Sequence, residues 1–141
     1  MFIDTNVLVY ARIFEAPHHV SAREALQRAF GEDEPVRISR QVVREYLSVI
    51  TRQQDWLAPF TPGEAVDDVR RLLNAFEMLE DGPEVTETLI ALCGVVSAPG
   101  RQVHDANIVA TMLTHGERRL LTFNTEDFRR YGERVELVET H

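Results

Sequence analysis

Short apolar runs alternate along this chain with longer segments whose apolar residues recur at helical spacing. The short runs predict five β-strands, at 2–3, 36–38, 76–79, 119–122 and 135–138. The longer segments predict helices at 7–12, 20–30, 40–51, 62–74, 83–96 and 103–114. Strands separated by helices need crossover connections, which favour a parallel sheet covered on both faces. The pattern therefore predicts an α/β fold, a three-layer α/β/α sandwich around a mainly parallel sheet.

Capping signals support several of these boundaries. Ser39 stands where an N-cap is expected before the helix at 40–51. Thr61 and Glu64 have the spacing of a capping box, and Pro62 occupies the favoured first helical position. Gly116 follows the last helix as a stop signal.

Bulk composition predicts one domain, residues 1–141, and excludes several protein classes. Hydrophobic residues make up 44% of the 141 residues, and no apolar run reaches the roughly 20 residues of a membrane span. Cys93 has no second cysteine with which to form a disulfide, and the N-terminus carries no basic leader. We therefore expect a cytoplasmic protein with no membrane association.

The formal net charge of −8 argues against a general nucleic-acid binder, because such proteins usually display a large basic surface. All 15 basic residues are Arg, however, the side chain best suited to bidentate phosphate contacts. Arg pairs at 70/71, 118/119 and 129/130 could form local positive strips on an acidic body. The alternative is that they form an ordinary solvated face.

Glu45 lies where an apolar residue is expected. Val42, Tyr46 and Val49 mark one face of its helix, and Glu45 shares that face. A buried, unpaired carboxylate is strongly disfavoured, so it must protonate or recruit a cation. The alternative is that Glu45 lies at the edge of the stripe and pairs with Arg44 or Arg52.

Three further acids occupy positions that suit a shared site. Asp105 shares the apolar face of the helix at 103–114, although a plain helix N-cap would also explain it. Asp4 and Asp127 each follow the carboxyl end of a predicted strand, where open α/β sheets place ligands. Asp4 has the alternative reading of a cap for the first helix.

Oxygen ligands of this kind suit Mg²⁺ or Mn²⁺, and the sequence has no Cys and His set with zinc spacing. A metal held by carboxylates lowers the pKa of a bound water and offsets charge on a leaving oxygen, so no side-chain nucleophile is required. The four acids therefore predict metal-assisted hydrolysis of a phosphodiester.

Four segments together resemble PIN-domain ribonucleases of the VapC type, the toxin half of a toxin–antitoxin pair. They are Phe-Ile-Asp-Thr-Asn at 2–6, Val-Val-Arg-Glu at 42–45, His-Asp-Ala-Asn-Ile-Val-Ala at 104–110 and Leu-Thr-Phe-Asn-Thr-Glu-Asp-Phe at 121–128. The resemblance spans nearly the whole chain. It implies a parallel sheet flanked by helices and Mg²⁺- or Mn²⁺-dependent RNA hydrolysis that leaves a 5′-phosphate and a 3′-hydroxyl.

The resemblance also implies roles for individual residues. Asp4, Glu45 and Asp105 match the acids that hold the metal, mostly directly and partly through water. At the fourth position many relatives carry an Asp where this chain has Asn124, and others use the acid that matches Asp127. Three polar residues match positions that orient the acids, and they have the alternative reading of turn and strand-end residues: Thr5, Asn6 and Thr122.

The same family commonly forms homodimers and is inhibited by an antitoxin whose C-terminal segment packs near the site. Val9, Tyr10, Ile13 and Phe14 are candidates for part of that groove, or else for core. The competing functional hypothesis is a catalytically weak or inactive PIN-fold module that binds RNA or protein, since Asn124 replaces an acid. A metal-dependent phosphatase or DNA nuclease is a third alternative.

Overall fold

A five-stranded sheet forms the centre of the molecule in the computed structural model, which describes residues 1–140. Its strands are β1 (Phe2–Ile3), β2 (Arg37–Ser39), β3 (Glu77–Leu79), β4 (Arg119–Leu121) and β5 (Glu136–Val138). They lie in the order β3-β2-β1-β4-β5, and every neighbouring pair is parallel. The predicted α/β fold with helices flanking a parallel sheet is confirmed.

Helices connect the strands, and most begin where the sequence predicts. They are α1 (Thr5–Arg12), α2 (His19–Phe30), α3 (Arg40–Ile50), α4 (Pro62–Ala75), α5 (Pro83–Cys93), α6 (Gln102–Thr114) and α7 (Thr125–Phe128), with a 3₁₀ segment at Arg129–Arg134. Within residues 1–140, no helix has both the length and the apolar character to cross a membrane.

Caps explain where several helices begin and end. Ser39 Oγ accepts from Val42 N, and the side chains of Thr61 and Glu64 bond reciprocally to each other's backbone N–H, as predicted. The helix predicted to run to residue 96 ends instead at Cys93, because the N–H of Gly94 bonds back to the last carbonyls and closes the turn. A four-residue helix such as α7 is too short for apolar periodicity to reveal.

The strand β1 is the centre of the core. Phe2 and Ile3 are fully buried, and they pair with Leu120 and Leu121 of β4. The next backbone N–H, that of Asp4, donates to the Leu121 carbonyl at 3.0 Å. Because parallel strands end at the same edge, this register brings the residues after β1 and β4 together.

The apolar residues of α1 divide between core and surface. Val9 and Ile13 are largely buried and belong to the core, although Ile13 also borders a shallow groove that Phe14 lines. Tyr10 is half-buried, whereas Phe14 is 79% exposed. Tyr10 and Phe14 therefore present most of the side-chain surface that the four residues offer to a partner.

Asp68 on α4 is a buried acid that ties three helices together. Its side chain is 4% exposed, and it accepts a 2.5 Å hydrogen bond from Tyr46 Oη of α3. Arg12 Nε of α1 donates to both carboxylate oxygens at 3.1 Å, and Arg71 lies 3.2 Å away. Two cations and a hydroxyl thus compensate the loss of hydration that burial imposes on the carboxylate.

We expect Asp68→Asn to lower the free energy of unfolding by about 2 kcal/mol, because charge-assisted hydrogen bonds to Arg12 and Tyr46 are lost while Arg12 still reaches water. Asp67→Asn, which alters the exposed neighbour of Asp68, is the matched control and should change the free energy by no more than about 0.5 kcal/mol. Urea unfolding of both variants measures the difference. Equal stability of the two variants would contradict this structural role.

Candidate metal centre and family

Three of the predicted acids line one cleft at the carboxyl edge of the sheet. Asp4, Glu45 and Asp105 come from the end of β1, from α3 and from α6, and Asn124 completes the same wall of a cavity of about 420 Å³. Asp127 is exposed and is not part of the lining, yet its charge contributes to raising the pKa of Asp105. Of the two candidates for the fourth position, the Asn124 amide therefore lies inside the cleft and the Asp127 carboxylate lies outside it.

Asp4 is the most buried of these acids, at 5% exposure. Its oxygens accept hydrogen bonds from Thr122 Oγ1 at 2.7 Å, from the Thr5 backbone N–H at 2.8 Å and from Asn6 Nδ2 at 3.2 Å. Burial raises the pKa of Asp4 to about 6, outweighing the hydrogen bonds from Thr122 and Thr5, and the charges of Glu45 and Asp105 add to the rise. Asp4 is thus held rigidly in a place that disfavours its charge.

Glu45 is half-buried and is held by neutral donors. Thr5 Oγ1 donates to Oε2 and Gln41 Nε2 donates to Oε1, each at 2.8 Å. Within residues 1–140 neither Arg44 nor Arg52 pairs with Glu45, so the Arg pairing in that alternative is wrong, whereas a place at the edge of the apolar stripe agrees with the half-buried side chain. Thr5 therefore links two of the acids, since its N–H contacts Asp4 and its hydroxyl contacts Glu45.

Asp105 lies in the first turn of α6, but it is not the cap. The N-cap residue is Arg101, so the simple capping explanation is wrong, although the favourable end of the helix dipole remains nearby. Burial is the largest cause that raises the pKa of Asp105 to about 6, followed by the charges of Asp127 and Glu45. Asp105 therefore shares with Asp4 an environment that favours either a proton or a cation.

The residues proposed to support the acids form a small network after β4. Asn6 Oδ1 accepts from the Phe123 N–H at 3.1 Å, and Asn6 Nδ2 lies 3.3 Å from Thr122 Oγ1. The Asn124 N–H donates to Thr122 Oγ1 at 3.0 Å. These bonds join the segment after β4 to the start of α1, next to Asp4.

A second network, which the sequence did not predict, fixes α3 against α6. Gln41 Nε2 bonds the His104 carbonyl at 2.8 Å as well as Glu45, and Asn107 Nδ2 bonds both Gln41 Oε1 at 2.8 Å and Asp81 Oδ2 at 3.0 Å. Gln41 lies one helical turn before Glu45, which is a usable signal in the sequence. No comparable signal marks Asp81.

The donor set fits a hard, hydrated cation. Carboxylate and amide oxygens are the ligands that Mg²⁺ prefers, and burial, together with the charges of neighbouring acids, raises the pKa values of Asp4 and Asp105. Among residues 1–140, no three acid, His or Cys side chains are arranged to hold an ion directly between them. An ion that retains several waters and takes only one or two carboxylates directly meets both observations.

The PIN domain family model matches residues 1–134. The chain belongs to the PIN-domain family. This match confirms the predicted resemblance to PIN-domain proteins. It covers every element from β1 to the 3₁₀ segment.

Relatives place this PIN domain with the VapC type. Ribonuclease VapC43 of Mycobacterium tuberculosis is 30% identical over 113 residues, which is 79% of this chain and 77% of that protein. Among solved structures, a toxin–antitoxin complex from Klebsiella pneumoniae matches with a TM-score of 0.67 at 21% identity, covering 99% of this chain and 97% of that one. VapBC-1 of nontypeable Haemophilus influenzae gives 0.71 at 14% identity, covering 99% and 96%.

The raised pKa of Asp4 leads to a test by pH. Its pKa is about 6 in the folded PIN domain, above the usual 3.8, so its ionisation destabilises the fold increasingly as pH rises from about 4 to 6. Asp4→Asn removes this cost. In EDTA, the free energy of unfolding of the variant minus that of the unmodified protein should therefore rise by on the order of 3 kcal/mol between about pH 4 and pH 7.

Urea unfolding at the two pH values measures this difference, and Asp67→Asn, at an exposed position, is the control that should show little change. A difference between Asp4→Asn and the unmodified protein that stays constant with pH would contradict the raised pKa.

Proposed function

We propose that this PIN domain is a Mg²⁺- or Mn²⁺-dependent endoribonuclease and the toxin of a VapBC-type toxin–antitoxin pair. The observation that carries the proposal is the convergence of Asp4, Glu45 and Asp105 from distant segments on one cleft. The similarity to ribonuclease VapC43 supports RNA as the substrate. The cleft of acids and the similarity to a ribonuclease both support hydrolysis of a phosphodiester.

In this proposal Asp4, Glu45 and Asp105 hold the metal, partly through water. A bound Mg²⁺ supplies a water of lowered pKa and neutralises charge on the leaving oxygen. The protein contributes orientation: Thr122 and Thr5 direct the Asp4 carboxylate, and Gln41 with Thr5 directs that of Glu45. These donors are neutral, so they position the acids without removing the negative charge that attracts a cation.

Asn124 and Asp127 share the fourth role. Asn124 lines the cleft, where its amide oxygen is available to a water ligand or to the ion. Asp127 lies outside the lining, and its charge adds to the negative field at Asp105. We assign Asn124 to the inner position and keep Asp127 as an outer member of the site.

An antitoxin protein and a second copy of the chain are the partners that we propose. The match to a toxin–antitoxin complex from Klebsiella pneumoniae supports the first. The exposed ring of Phe14 and the half-buried ring of Phe60 line a shallow groove beside α1, which suits an apolar segment of the antitoxin. The net charge of −8 favours an antitoxin segment that is basic. Exposed apolar side chains at Ile90 and Val95, on and after α5, support a homodimer.

The second candidate is a catalytically weak or inactive PIN-fold module that binds RNA or protein. Two features favour it: the cleft holds Asn124 at the position where the family resemblance implies an acid, and residues 1–140 contain no ready group of three metal ligands. Such a module should show neither metal uptake at millimolar concentration nor turnover of RNA.

We expect Asp4→Asn and Asp105→Asn each to reduce Mg²⁺-dependent RNA cleavage at least about 100-fold, since each removes a carboxylate from the metal centre. Both should also relieve growth arrest when the protein is expressed. Asp67→Asn, an exposed acid on α4, is the matched control and should cleave normally.

Circular dichroism of each variant checks that the fold is retained. Unchanged cleavage in both site variants would reject the nuclease proposal, and absent cleavage in the unmodified protein would favour the binding module.

A further inference from the structure

The cleft that holds the acids has a second, aromatic wall. Tyr10 and Trp56 line the same cavity as Asp4 and Glu45. Both rings are half-buried, so each retains a surface that faces the open cleft. Metal chemistry at the carboxylates does not require these rings, and packing against the core accounts only for the faces that point inward.

The rings belong to a connected aromatic cluster. Tyr10 meets Trp56 edge-on, with 6.0 Å between ring centroids, and meets Phe123 edge-on at 5.5 Å. His18 stacks on Phe123 at 4.9 Å. The backbone carbonyl of Tyr10 lies 2.7 Å from Nδ1 of His19. The cluster thus joins α1, the loop after α3 and the segment after β4, so its position relative to Asp4 is fixed by the fold.

A cation lines the cleft beside these rings. Arg52 is exposed and forms no ion pair within residues 1–140, whereas Arg12, Arg37 and Arg119 are all paired with acids. Ser48 contributes a hydroxyl to the same lining. A site with an aromatic wall, an unpaired guanidinium and a hydroxyl matches the parts of a nucleotide: a base, a phosphate and a ribose.

We propose that Trp56, Tyr10 and Arg52 form a subsite for one unpaired nucleotide of the RNA, next to the bond that is cut. The base stacks on the aromatic wall, and Arg52 contacts its phosphate. This inference rests on the proposed function, because it takes RNA as the substrate. It adds the residues of this chain that would hold the base and its phosphate.

The negative charge of the protein favours a subsite that binds RNA by stacking. With a net charge of −8, the chain lacks the broad basic surface that supplies most affinity in general nucleic-acid binders. Stacking does not depend on charge, and it tolerates different bases because every base has a π face. A base inside a duplex is already stacked on its neighbours and is not available to the cleft.

Trp56 is the only tryptophan in the chain, so it reports directly on this subsite. The probe is a single-stranded oligoribonucleotide of about eight residues, added to the Asp105→Asn protein in Mg²⁺, with the same strand in a duplex for comparison. We expect the single strand to quench the fluorescence and the duplex to bind at least about 10-fold more weakly.

Variants of the wall provide the second readout. Tyr10→Leu and Arg52→Gln should each raise the dissociation constant from quenching roughly 5- to 100-fold. Trp56→Leu should raise KM for cleavage by a similar factor with a much smaller effect on kcat, and Trp56→Phe should restore most of the loss. Phe30→Leu is the matched aromatic control, since Phe30 packs on Phe76 outside this cleft.

Fluorescence that RNA leaves unchanged, or an unaltered KM in Trp56→Leu, would overturn the subsite. Quenching by an arginine-rich peptide but not by RNA would also overturn it, and would assign the wall to a protein partner. Quenching by RNA without cleavage by the unmodified protein would support the subsite while rejecting the nuclease function, so the two proposals fail separately.

Discussion

Like charge confined to a small, partly buried volume is the constraint around which this structure is organised. Asp4, Glu45 and Asp105 face the same cleft, and burial together with their mutual repulsion disfavours ionisation of Asp4 and Asp105. A fold relaxes such strain by moving the acids apart, by pairing them with cations or by protonating them. Here the surrounding hydrogen bonds hold the acids in place, and within residues 1–140 no arginine pairs with Glu45.

Neutral donors make this arrangement possible. The hydroxyl of Thr122 and the amide of Gln41 each anchor one acid, and Thr5 anchors two through its backbone and its hydroxyl. The parallel register of β1 and β4 places Asp4 and Thr122 side by side, and the Gln41–Asn107 contact fixes α3 against α6. The apolar core therefore determines the spacing of the acids, and the metal ion that we propose would neutralise them.

Glu45 and Asp68 together show what the sequence can predict about a buried acid and what it cannot. Each acid lies on the apolar face of a helix, so the pattern finds Glu45 and would also accommodate Asp68. Arg12 and Tyr46 donate hydrogen bonds to Asp68, whereas in the described part of the chain the donors to Glu45 are the neutral side chains of Thr5 and Gln41. Helical periodicity identifies an acid on a buried face, but the partners come from distant segments and follow only from the fold.

Most of the secondary structure could be predicted because its signals are local. The caps at Ser39 and Thr61 and the apolar strands each depend on a few neighbouring residues, so the sequence alone reveals them. The helix α7 was too short for periodicity. The aromatic wall of Tyr10 and Trp56 joins residues far apart in sequence, each of which also reads as ordinary core. Contacts of this kind depend on the topology rather than on local pattern.

Calorimetric titration with Mn²⁺ tests the central claim most directly, that these acids form a cation site. The account predicts binding at millimolar concentration or tighter at about pH 7, weaker binding at about pH 5 where protons compete for Asp4 and Asp105, and loss of binding in Asp4→Asn but not in Asp67→Asn. Absent binding in the unmodified protein, or equal binding in Asp4→Asn, would contradict it.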